Sequence, residues 1–293
     1  MRTDKEMMDL ILGIAIKDDR IRAVYMNGSR TNPNVPKDIF QDYDIVYVVR
    51  ETSSFLNDEN WIRVFGEIIM KQEPDKMDQQ AGKKVDLDKS YGYLMLFSDG
   101  NRIDLHIETK EVTLENYKND SLTKPLLDKD NLLSPLPQSS DRDYWTKKPS
   151  EASYQNDCND FWWCLQNVAK GIWRDELPYA KQMFEQFIRP RLDQMAAWWI
   201  GAKYDFTISS GKMGKYFNRL LPETYWEMYK LTYSDHCYNG FWDSIFVTCE
   251  LFRTLAKDLA EQMGFTYQEA DDINMTIYLL HIRQLPADSE GIF

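Results

Sequence analysis

The sequence predicts an α+β protein in two parts, a mixed α/β first half followed by a helical bundle. Three observations carry that expectation. Runs rich in β-formers stand at 21–26, 43–49, 91–97 and 102–107. A Pro-, Ser- and charge-rich stretch, SPLPQSSDRDYWTKKPS at 134–150, then breaks the pattern. Beyond it, apolar and aromatic residues recur at helical spacing.

Met7, Met8, Leu10, Ile11, Ile14 and Ala15 mark an opening helix that ends near Asp18-Asp19. The 21–26 strand runs into Asn27-Gly28-Ser29, and Pro33 and Pro36 punctuate the loop that follows. Residues 43–49, YDIVYVV, form the clearest strand. Trp61, Val64, Phe65, Ile68 and Ile69 predict a second helix. The strands at 91–97 and 102–107 are joined by Ser98-Asp99-Gly100-Asn101, a hairpin turn. The domain boundary is placed in the 134–150 stretch, giving domains 1–148 and 149–293. In the second, Phe161, Trp162, Leu165, Val168, Ala169 and Ile172 share a helical period, as do Met183, Phe184, Phe187, Ile188, Leu192 and Met195. Trp242, Ile245, Phe246, Cys249, Phe252, Leu255 and Leu259 make a third such set, so this half reads as a bundle with an aromatic-rich core.

The bulk numbers narrow the class. The formal charge of −12 argues against a nucleic-acid partner, which calls for a basic patch, and suits a cationic one. No run approaches the ~18–20 apolar residues that span a bilayer. The charged start, Met1 to Glu6, does not read as a signal peptide. The four cysteines, Cys158, Cys164, Cys237 and Cys249, form no C-x-x-C pair and suit a reducing cytosol. A cytoplasmic protein without a membrane partner, acting as a monomer, is the expectation.

The chemistry lies in three pieces. Gly28-Ser29 ends a strand, Asp42-Tyr43-Asp44 enters the next, and Asp104 sits between Ile103 and Leu105 in a later one. Side chains alternate along a strand, so Asp42 and Asp44 point the same way. Two carboxylates so placed raise each other's pKa unless a cation lies between them. With Asp104 they make an all-oxygen set of the kind a hard ion such as Mg²⁺ requires. Because Mg²⁺ keeps waters and bridges to phosphates, the set suits a nucleoside triphosphate better than a structural ion. Gly28 lets backbone approach a phosphate, the Ser29 hydroxyl can hold its oxygens, and Arg30 can add charge. A phosphate loop of the GxxxxGK[ST] type is excluded, since Met213 follows Gly211-Lys212. His106 shares a strand face with Asp104 and is expected half-buried and satisfied.

This arrangement resembles the nucleotidyltransferase superfamily that includes DNA polymerase β. KEMMDLIL, NGSR, DIFQDYDIVY, YLMLF with RIDLHI, KGIWRDELPYAK and SSGKMGKY make the chain similar, over nearly its whole length, to the aminoglycoside 6-adenylyltransferases. The resemblance implies a polymerase-β-like N-terminal domain followed by a helical domain, with ATP and streptomycin as substrates and Mg²⁺ as cofactor. It implies that Asp42, Asp44 and Asp104 ligate metal, that Asp104 is also the general base, and that Ser29 touches the triphosphate. The reaction would be in-line attack of a streptomycin hydroxyl, at position 6, on the α-phosphorus, with two metal ions stabilising the attacking and leaving oxygens. Lys181, Lys212 and Lys215 are candidates to complete the triphosphate site. Streptomycin carries two guanidinium groups, so Trp173, Asp175 and Glu176, adjacent in GIWRDEL, are candidates for part of its pocket. Two other readings stay open: the same chemistry on another acceptor, and a nucleotide-binding module without catalysis.

Overall fold

The computed structural model describes residues 1–293, which divide into two compact units, Met1–Asp143 and Tyr144–Phe293. The fold is α+β, a mixed sheet with helices followed by an all-helical unit.

The first unit opens with α1 (Asp4–Lys17), started by a capping box in which Thr3 and Glu6 satisfy each other's backbone N–H groups. The strands β1 (Ile21–Asn27), β2 (Tyr43–Val49), β3 (Ile68–Gln72), β4 (Ser90–Phe97), β5 (Arg102–Thr109) and β6 (Lys124–Asp128) form one six-stranded sheet in the order β3-β4-β5-β2-β1-β6. Its pairs are antiparallel except the central β2–β5 pair. A parallel pair needs a crossover, and the chain between β2 and β5 supplies it with α2 (Ser53–Leu56), β3, α3 (Pro74–Gln80) and β4.

Alternation along β2 sorts the two faces. Tyr43, Ile45, Tyr47 and Val49 join Met7 and Ile11 of α1 in the main core of this unit. The Tyr47 hydroxyl donates to the Ile11 carbonyl at 2.6 Å and ties helix to sheet. On the opposite face Val46 and Val48 pack with Ala23, Tyr25 and Tyr117 in a smaller cluster, Tyr117 following α4 (Lys110–Asn116). Asp44 lies on this second face.

Two expectations are corrected. Residues 61–69 are not one helix: a 3₁₀ turn covers Trp61–Phe65, and β3 begins at Ile68. Gly66, at φ 131°, ends the turn, and Ile69 and Met70 are exposed on an edge strand instead of lining a helical stripe. The period at 183–195 is likewise not one α-helix. α6 (Leu177–Met183) passes through a π-helical turn, Phe184–Ile188, into α7 (Arg189–Lys203). The wider turn coincides with Arg189, whose buried guanidinium donates to the Thr232 hydroxyl and, at 3.0 Å, to its carbonyl.

The second unit also contains α5 (Glu151–Trp173), α8 (Phe217–Leu220), α9 (Glu223–Leu231), α10 (Tyr238–Met263) and α11 (Glu269–Gln284). Its core is aromatic, with the Phe161 and Phe252 rings stacked at 3.7 Å between centroids. All four cysteines are free. No helix is long and apolar enough to cross a membrane.

Candidate active site

The site is built at one end of the β1, β2 and β5 strands. β1 ends at Asn27, and Gly28 follows at φ 74°, ψ −158°, a backbone region essentially closed to other residues. The geometry is forced by a neighbour: a Cβ on Gly28 would stand 2.0 Å from Asp44 Oδ2. A single 3₁₀ turn, Ser29–Thr31, then turns the chain away, with Ser29 half-buried at its start.

The paired aspartates enter with β2. Asp42 precedes the strand, Asp44 is its second residue, and Asp44 stands in register with Asp104 of the parallel β5. One carboxylate oxygen from each of Asp42, Asp44 and Asp104 lies within 4.8 Å of the other two, and all three side chains are half-buried. The Asp44 carboxyl is pushed up to about 7, first by burial and then by the Asp42 and Asp104 charges, against the pull of Arg102 and Arg30. The donors are all hard oxygens, converging and short of positive charge, so the set fits a divalent cation such as Mg²⁺.

Arg30, expected at a phosphate, has partners within the protein. Its guanidinium donates to the carbonyls of Asp42 (2.9 Å) and Gln41 (2.7 Å), pairs with Asp4 (2.7 Å), and lies 3.6 Å over the Tyr43 ring. Two of these bonds go to the segment that leads into β2, so Arg30 fixes the backbone that carries Asp42.

Arg102 is the residue that motif reading passed over. Its Nε and Nη2 donate to the two Asp104 oxygens at 2.7 and 2.5 Å, and Nε lies 3.8 Å from Asp42 Oδ2. The only signal in the sequence was its spacing of two from Asp104, which puts both on one strand face. His106, next on that face, is exposed rather than half-buried, with its ring beside Gly92, which has no side chain to cover it.

The remaining candidates lie in the second unit. Trp173 donates from its indole to the Pro286 carbonyl at 3.2 Å, Asp175 accepts from the Tyr238 hydroxyl at 2.8 Å, and Glu176 is exposed. Lys181 donates to the Ser234 hydroxyl at 2.7 Å over the Phe241 ring, and partial burial lowers its pKa. Lys212 and Lys215 are exposed, the latter with its ammonium 5.1 Å from the Tyr216 ring centroid.

A family model described as streptomycin adenylyltransferase matches residues 1–282. The chain belongs to the streptomycin adenylyltransferase family. As a member it is a nucleotidyltransferase. It is 38% identical over 273 residues to the aminoglycoside 6-adenylyltransferase of Bacillus subtilis strain 168, a match covering 93% of this chain and 95% of that protein. The enzyme of the same name from Campylobacter jejuni is 37% identical over 272 residues, 93% of each chain. A crystal structure of an aminoglycoside 6-adenyltransferase from Bacillus subtilis is 33% identical and covers 97% of this chain and 100% of that one, with a TM-score of 0.48. The family resemblance carried by the DIFQDYDIVY and RIDLHI blocks therefore holds.

Proposed function

We propose that this chain transfers AMP from ATP to an aminoglycoside, and that the acceptor is the 6-hydroxyl of streptomycin. The convergence of Asp42, Asp44 and Asp104 beside Gly28 carries the reading, together with membership of a family whose similar relatives bear the name aminoglycoside 6-adenylyltransferase.

In this reading the acceptor oxygen forms a bond to the α-phosphorus while the bond from that phosphorus to the oxygen bridging to the β-phosphate breaks, and pyrophosphate leaves. Two Mg²⁺ ions held by the three aspartates would supply Lewis-acid stabilisation of the developing charge. Asp42 and Asp44 bind cations and are held in place by the β2 ladder and the Arg30 clamp. Asp104 would take the hydroxyl proton at one of its Oδ atoms, once that atom is free of Arg102. Gly28 lets the Asp44 carboxylate approach the backbone, and the half-buried Ser29 hydroxyl would hold a phosphate oxygen. The acidic chain would favour encounter with a polycationic acceptor.

The experiment is pyrophosphate release from ATP and Mg²⁺ with streptomycin, spectinomycin, kanamycin or lincomycin, with mass spectrometry of the products. A gain of one AMP on streptomycin, placed at position 6 by NMR, supports the proposal. Adenylylation of another compound keeps the chemistry and removes the acceptor. Release with none of the four overturns the acceptor assignment.

A further inference from the structure

The proton-accepting and cation-binding roles of Asp104 both need a free oxygen, yet Arg102 engages both its oxygens and approaches Asp42. A guanidinium has five N–H donors and no acceptor, and its fork matches a carboxylate edge as well as it matches a phosphate. Arg102 takes one lone pair on each Asp104 oxygen, and its positive charge and a divalent ion compete for the same carboxylate.

We propose that Arg102 is a displaceable counter-ion: it offsets part of the triad's negative charge in the ion-free protein, leaves Asp104 when a divalent cation takes its place, and then offers its guanidinium to the phosphate oxygens of the nucleotide. Two features give it that freedom. The side chain is 47% exposed, so packing does not lock it. It also borders an open groove of about 730 Å³, lined by Met70 and Lys71 of β3, Leu96 of β4 and Lys76 of α3, into which it can withdraw. Lys71 in that groove is paired with Glu73 at 2.7 Å, and Lys76 adds a further positive charge that favours a phosphate there. The competing arrangement is a fixed brace, in which Arg102 orients Asp104 for the ion and never leaves. The two differ in sign, since removing a competitor tightens cation binding and removing a brace weakens it. The proposal rests on the reading that the triad holds the ion.

The test is binding of Mn²⁺ alone, without nucleotide, followed by the EPR signal of free Mn²⁺ in the wild type, Arg102→Met and Asp44→Asn. Arg102→Met is expected to lower the Mn²⁺ Kd about tenfold, the scale of losing one charged competitor. With Mg²⁺ present, the same variant should bind the α,β-methylene analogue of ATP about tenfold more weakly, and Arg102→Lys should fall between, keeping charge without the fork. Unchanged or weaker Mn²⁺ binding by a folded Arg102→Met protein, judged by a native circular-dichroism spectrum and a cooperative melt, overturns the proposal. Tighter Mn²⁺ binding with undiminished analogue affinity overturns the transfer of Arg102 to the nucleotide. If Asp44→Asn binds Mn²⁺ as the wild type does, the triad is not the cation site and the functional reading itself fails. Absence of Mn²⁺ binding by both wild type and Arg102→Met sinks both.

Discussion

Replacing Gly28 by alanine tests the site at its tightest point. The backbone at φ 74°, ψ −158° lies in a region essentially reserved for glycine, so any side chain there carries a penalty of about 1–3 kcal/mol. The added Cβ would also stand 2.0 Å from Asp44 Oδ2, where real Cβ contacts stop near 3.0 Å, so the carboxylate must retreat by about 1 Å. A misplacement of that size in a catalytic constellation costs on the order of 100-fold in rate. The Gly28→Ala enzyme should therefore lose roughly 100-fold in kcat for pyrophosphate release at saturating ATP, Mg²⁺ and streptomycin. Its melting temperature should fall by roughly 2–4 °C for each kcal/mol of strain. Calorimetry and a coupled pyrophosphate assay on the same preparation separate the two effects. A folded variant with kcat within threefold of the wild type would show that the approach of Asp44 to this backbone is unimportant for turnover.

Other expectations follow from the same structure. Asp42→Asn and Asp44→Asn should each lose roughly 100-fold or more in kcat, because an amide is a poor partner for a hard cation; activity retained at saturating Mg²⁺ would remove the aspartates from the site. Asp157 in α5 is buried, and burial pushes it up to about 7 despite Arg191. Its folded value lies above the unfolded one, so its stability contribution is full below about pH 4 and is lost as pH rises toward 7. The melting temperature of Asp157→Asn relative to the wild type should therefore climb between pH 4 and 8, by the equivalent of about 4 kcal/mol at most; a flat difference refutes this. Phe252→Ala, which removes half of the stack with Phe161, should cost about 3–5 kcal/mol in denaturant unfolding.

The parts of the fold that were legible share one property: their signal is local. The alternation of Tyr43, Ile45, Tyr47 and Val49 against Asp44, Val46 and Val48 separates the two sheet faces before any partner strand is known. The same alternation placed Asp42 with Asp44. What escaped depends on partners distant in sequence. β6 is a five-residue edge strand containing Pro125, without a regular burial pattern, and nothing local says that it pairs with β1. Residues 68–72 are apolar enough to extend a helical stripe, and only Gly66 and the edge position make them a strand. Arg30 sits beside Gly-Ser and reads as a phosphate ligand, but the fold returns Gln41 and Asp42 to its guanidinium. Arg102 carries no signal beyond its spacing from Asp104, and its place at the triad follows from the β2–β5 pairing that brings Asp42 alongside Asp104.

That parallel pairing has a consequence for how such a site changes over time. Asp44 and Asp104 are register partners on adjacent strands, so the separation of their backbones follows the spacing of a hydrogen-bonded ladder, about 4.8 Å, and not the packing of any side chain. A dimension set by peptide geometry survives substitutions throughout the surrounding core. Loops and helices around this sheet can be remodelled for new acceptors while the backbone spacing that carries these two aspartates stays constant.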